Sequence, residues 1–66
     1  MKYFWRPLKP RGLFHLFVRC NSTNPNQKIT ACGRSDIVFE GTEALYWNER
    51  PSKAYMCKQC AKWQGH

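Results

Sequence analysis

The sequence predicts a small β-rich, metal-stabilised domain: a zinc-ribbon-like antiparallel hairpin with a third short strand and a short C-terminal helix. Three observations point there. Cys57-Lys58-Gln59-Cys60 sets two thiols two residues apart, and Cys32-Gly33 supplies a third thiol beside a residue suited to chain reversal. The chain has 66 residues, and at that size a hydrophobic core alone is marginal, so a metal, disulfides or a partner is ordinarily needed. Yet 42% of the residues are hydrophobic and 15% aromatic, too apolar for a disordered tail.

A structural zinc holds four ligands, at ~2.3 Å for sulfur and ~2.0–2.1 Å for imidazole nitrogen. The Cys-x-x-Cys turn directs both sulfurs into one small volume. Glycine after Cys32 admits the positive φ that lets the backbone curl around a ligand. Four cysteines in an exported chain would instead suggest two disulfides. The basic start is interrupted by Arg6, Pro7, Lys9, Pro10 and Arg11, unlike a secretory signal. The expectation is a cytoplasmic protein whose thiols serve a metal. No apolar run approaches the ~18 residues of a membrane span. A redox Cys-x-x-Cys belongs on a strand-to-helix junction of a larger α/β domain, for which this chain is too short.

Two parts are expected: a basic, aromatic arm over residues 1–12 and a single zinc-binding domain over 13–66. The arm holds Lys2, Trp5, Arg6, Lys9 and Arg11, and its two prolines and glycine argue for an extended approach. Residues 13–19 read as a strand rich in aromatic and β-branched side chains. On a period of two, Phe14, Leu16 and Val18 form the expected core face, with Leu13, His15, Phe17 and Arg19 opposite. Asn21-Ser22-Thr23-Asn24-Pro25-Asn26 is a turn cluster. Residues 29–32 then return as the second strand of an antiparallel hairpin.

That hairpin bears on the fourth ligand. With the turn centred near Asn24 and Pro25, His15 falls across the ladder from Cys32 and Gly33. Cys20 falls opposite Lys28 or Ile29, roughly 10–13 Å along from Cys32 at ~3.3 Å per residue. A regular hairpin therefore favours His15. Four cysteines for four ligands is nonetheless the simplest count, and an irregular loop would admit Cys20. His66, at a terminus prone to fray, is a third candidate. Further on, residues 36–40 read as a third short strand ended by Gly41. Residues 42–47 fit either one helical turn or irregular chain, and Ala61-Lys62-Trp63 permits a brief helix after the Cys57/Cys60 turn.

Taken together, His15, Thr30-Ala31-Cys32-Gly33-Arg34 and Cys57-Lys58-Gln59-Cys60-Ala61 resemble a class of short zinc-binding proteins. These occur in actinobacteria, their phages and their mobile elements. The resemblance spans residues 13–63 and implies the ligands His15, Cys32, Cys57 and Cys60. Cys20 departs from the pattern, and the class carries no activity that could be transferred.

Charge supplies the remaining functional signal. The net charge is +7, and residues 1–35 contain no acid, while Asp36, Glu40, Glu43 and Glu49 are the only carboxylate side chains. Lys2, Arg6, Lys9, Arg11, Arg19, Lys28 and Arg34, with Trp5 interleaved, suit phosphate contacts and base stacking. No Ser/His/Asp grouping or phosphate-cradling glycine loop points to catalysis, and four protein ligands would close a zinc site. The expectation is a non-enzymatic structural-zinc module without a small-molecule substrate. Two partner classes are consistent with it: a nucleic acid, making the chain a regulator, or an acidic host protein, making it an adaptor or inhibitor. Phe39, Leu45, Tyr46 and Trp47 beside acids favour the protein partner, since aromatics form interface hot spots.

Overall fold

The computed structural model describes residues 3–42 and 45–63. Four strands, β1 (Phe4–Pro7), β2 (Phe14–Cys20), β3 (Gln27–Thr30) and β4 (Ser35–Ile37), form one antiparallel sheet in sequential order. The sheet curls into a half-barrel. A 3₁₀ turn over Lys53–Tyr55 and a one-turn helix α1 (Lys58–Ala61) follow. Among the described residues no helix is long and apolar enough to cross a membrane.

The sheet has one strand more than expected, because Phe4–Pro7 is not an arm but its outer strand. Burial drives this. Phe4 pairs with Phe17 and Trp5 with Leu16 in the ladder, so the Phe4-Trp5 dipeptide covers both faces of β2 at once. Phe4 is fully buried with its ring stacked on Phe17 at 5.0 Å, and Trp5 is 6% exposed. Proline is tolerated because Pro7 ends an edge strand, where its missing N–H removes no ladder bond of the sheet interior. Pro10 then helps reverse the chain in a turn closed by Gly12 N–H on Lys9 C=O at 2.9 Å.

The expected core face of β2 is present: Leu16 is buried with Trp5, Met56 and Cys60, and Phe14 and Val18 pack against them. Phe17, assigned to the outer face, is fully buried as well. It joins Phe4 and Val38 in a second cluster capped by Leu8 and Tyr46. The central strand is thus covered on both sides, which period-two reasoning for a one-sided sheet does not anticipate.

The Asn-rich turn forms through its side chains. Asn21 Oδ1 accepts from Thr23 N–H at 2.8 Å and Asn24 Oδ1 from Asn26 N–H at 3.1 Å. Both later strands end earlier than predicted. The second stops at Thr30 rather than residue 32, because the chain already reverses there. The third stops at Ile37 rather than residue 40. From Val38 the backbone bonds to the turn instead, with Val38 N–H on Asn26 C=O and Glu40 N–H on Asn26 Oδ1, both 2.8 Å. Residues 43 and 44, within the segment of uncertain form, lie outside the described residues. After that segment, Trp47 pairs with Trp5 and its C=O accepts the Trp5 N–H at 2.7 Å.

Candidate metal centre

Three local structures converge on one point. The first is the β3–β4 connection, in which Ala31, Cys32 and Gly33 form a three-residue hairpin loop. Thr30 N–H bonds Arg34 C=O at 2.7 Å, and Gly33 N–H bonds Thr30 C=O at 3.0 Å. Gly33 has φ +93°, the left-handed residue that such a loop requires. The loop lifts Cys32 to its apex. Thr30 secures it twice, with its hydroxyl accepting the Arg34 N–H at 2.9 Å and lying 3.2 Å from Cys32 Sγ.

The second is His15 on β2. A register shift between Phe17 and Arg19 bends the strand, and Ala31 N–H reaches back to Leu16 C=O at 2.9 Å. That bond holds the Cys32 loop beside His15. The third is the Cys-x-x-Cys turn. Cys57 caps α1, with its C=O accepting the Ala61 N–H at 2.9 Å, and its own N–H donates to Phe14 C=O at 2.8 Å. Phe14 precedes His15, so one backbone bond ties the C-terminal thiols to the histidine.

The ligand atoms of His15, Cys32, Cys57 and Cys60 all lie within 4.8 Å of one another. His15 Nδ1 is 3.4 Å from Cys32 Sγ and 3.8 Å from Cys60 Sγ. A tetrahedral ion with sulfur at ~2.3 Å and nitrogen at ~2.0–2.1 Å separates such donors by about 3.6 Å. The spacing therefore fits a metal ion without rearrangement of the backbone.

Protonation chemistry agrees. Burial, aided by the Arg34 charge, lowers the His15 pKa and so favours the neutral imidazole that can ligate. Burial pushes the Cys60 thiol up to about 12, and Cys32 beside it adds to that rise. Burial opposes ionisation of Cys32 too, but hydrogen bonds led by that from Thr30 outweigh it and hold its pKa below the ordinary value. Without a cation Cys32 is thus the more readily ionised of these two, and Cys60 beside it resists ionisation. A divalent ion removes that conflict, since thiolates are the ligating form and binding expels their protons.

Cys20 is not part of the group. It pairs with Lys28 at the far end of β2, five residues from His15, about 16 Å along the strand. His66 lies outside the described residues.

The residues expected to contact nucleic acid separate into different roles. Lys2 lies outside the described residues. Trp5 is a core side chain and offers no stacking surface. Arg6 is ion-paired with Asp36 and its guanidinium sits 5.4 Å from the Tyr46 ring centroid. Lys28 is wholly buried, held by Pro25 C=O and by Glu40 at 2.5 Å. It seals the turn to the segment after β4 and cannot reach a phosphate. Lys9, Arg11, Arg19 and Arg34 are exposed. Of these, Lys9 and Arg34 line an open groove that also includes the candidate ligands His15, Cys32 and Cys57, together with Lys53 and Lys58 from the C-terminal segment. Among the described residues no carboxylate lines it. Nothing in the local sequence around Lys53 or Lys58 marks them for this groove. Their alignment with Lys9 and Arg34 depends on the same convergence that builds the metal centre.

Compared with known proteins, the chain matches no family model, no curated protein and no solved structure.

Proposed function

We propose that this protein is a structural-zinc module whose zinc-fixed surface binds nucleic acid as a small regulator. Three thiolates and one imidazole are a donor set that suits zinc, and four protein ligands leave no open position for catalysis. Zinc is therefore assigned a structural role, in a cytoplasmic, non-enzymatic protein. The resemblance to short zinc-binding proteins of actinobacteria, their phages and mobile elements supports the ligand set.

The observation that carries the nucleic-acid reading is the groove lined by Lys9, Arg34, Lys53 and Lys58, with no carboxylate among the described residues that line it. The thiolates account for part of this positive charge. Zinc with three thiolates and a neutral histidine carries one net negative charge, and four cations outnumber it. The surplus suits a phosphate backbone, which binds through counterion release.

Two measurements test the reading. Metal analysis of the purified protein should find one zinc per chain. Fluorescence anisotropy with a labelled DNA duplex should show affinity that falls steeply with salt. Replacing the four groove cations by alanine should flatten the log–log salt slope by about 3.6, at ~0.9 per phosphate contact. A variant with an unchanged slope would exclude the groove as the binding surface.

A second reading, an adaptor or inhibitor docking on an acidic host protein, is favoured by Ile37, Phe39, Leu45 and Trp47. Each is at least half exposed, from 50% for Ile37 to 77% for Leu45. Such an interface would respond weakly to salt, the opposite of the first reading.

A further inference from the structure

We propose that His15 acts on two sides at once, with Nδ1 toward the metal and Nε2–H toward a phosphate oxygen of nucleic acid in the basic groove. The inference rests on the nucleic-acid reading above and names the contact that joins the metal to the bound strand. Nδ1 is the ring nitrogen facing Cys32 and Cys60, at 3.4 and 3.8 Å. The two nitrogens of an imidazole point in widely divergent directions, so Nε2 leads away from the sulfurs. His15 is half-buried and itself lines the groove alongside Lys9, Arg34, Lys53 and Lys58.

Among the described residues, nothing accepts a hydrogen bond from Nε2. A ligating histidine ordinarily donates its second N–H to a carboxylate, a carbonyl or water. The groove that His15 lines also holds Lys9, Arg34, Lys53 and Lys58, and the acceptor that complements it is an anion supplied from outside. Ligation through Nδ1 also fixes the tautomer, because the ring's one remaining proton must then reside on Nε2. The metal-loaded ring is a committed donor, whereas the free imidazole divides its proton between two nitrogens. Lys53 and Lys58 bracket the 3₁₀ turn and the Cys57 knuckle, so their placement depends on the same ligation. A phosphodiester oxygen in the groove would therefore meet one neutral donor from the centre and several charged donors around it.

The test uses the zinc-loaded full chain and a labelled twelve-nucleotide oligothymidylate at low salt. Nitrogen–proton NMR of the histidine ring follows the His15 Nε2–H directly, while anisotropy follows binding. Saturating oligonucleotide should shift that resonance and slow its exchange with solvent several-fold. A companion variant, His15→Cys, retains four ligands and should keep its zinc while losing at least about tenfold in affinity, since it removes one hydrogen bond to a charged group and adds one negative charge to the centre. Binding by anisotropy with an unmoved Nε2–H signal would overturn the role of His15 and leave the nucleic-acid reading intact. A zinc-bearing His15→Cys protein that binds as tightly as the parent would overturn it equally. Absence of any binding at low salt would refute the nucleic-acid reading itself, and this inference with it.

Discussion

Replacing Trp5 with alanine tests whether the first residues belong to the core. Trp5 is 6% exposed, packed with Leu16, Met56 and Cys60, the last a candidate metal ligand. Aromatic side chains bury ~150–250 Å² each, and at ~25 cal/mol per Å² this one contributes about 4–6 kcal/mol of transfer free energy. Alanine recovers little of it, and a cavity remains, so a loss of about 3–5 kcal/mol is expected. A domain of this length commands only ~3–10 kcal/mol in total. The metal-free variant should therefore be largely unfolded. The zinc-saturated variant should fold with a melting temperature lowered by at least 12 °C, at ~4–8 °C per kcal/mol. Circular dichroism melts at fixed zinc concentration would measure this, with Arg11→Ala as the exposed control expected to move by only a few degrees. A Trp5→Ala protein melting within a few degrees of the parent would refute the placement of β1 and return residues 1–12 to the status of a free arm.

Cys60→Ser should abolish stoichiometric zinc binding and lose the melting-temperature gain that zinc confers, because ligation and folding are coupled in such sites; a strong chelator should lower the parent to the same metal-free melt. Cys20→Ser should retain one zinc per chain with a melting shift within a few degrees, and loss of metal from this variant would return Cys20 to the ligand set. On acidification the folded state resists protonation of His15, whose pKa is depressed, while the unfolded chain takes up that proton near the ordinary value of 6.5. Stability should therefore fall as pH drops through about 6.5, accompanied by zinc release that metal-indicator dyes can follow. On the alkaline side the sign reverses for the metal-free protein. Cys60 stays protonated to about 12 when folded but ionises near 9.0 when unfolded, so metal-free stability should decline above about pH 9. Zinc-loaded protein, its thiolates already formed, should lack that alkaline loss.

How much of this was legible beforehand depended on range along the chain. Cys57-x-x-Cys60, the glycine after Cys32 and the asparagine-rich turn carry their geometry within a few residues, so their spacing suffices to anticipate two knuckles and a hairpin. The turn position places Cys20 opposite Lys28 or Ile29, and the ladder pairs it with Lys28. What lay beyond local reasoning was set by docking. Phe4-Trp5 becomes a strand because β2 offers an apolar partner on each face, and no signal inside residues 1–12 announces that partner. Phe17 looks like a surface position by alternation and Lys28 by its charge, yet Val38 and Tyr46 close over the first and Glu40 meets the second. The union of Cys32 with Cys57 and Cys60 hangs on two backbone bonds, Ala31 to Leu16 and Cys57 to Phe14. Those same bonds align Lys9 and Arg34 with Lys53 and Lys58. Sequence determined which side chains could hold a metal. Tertiary structure alone decided which cations share a groove and which are consumed in ion pairs, because that choice follows from long-range burial rather than from residue type.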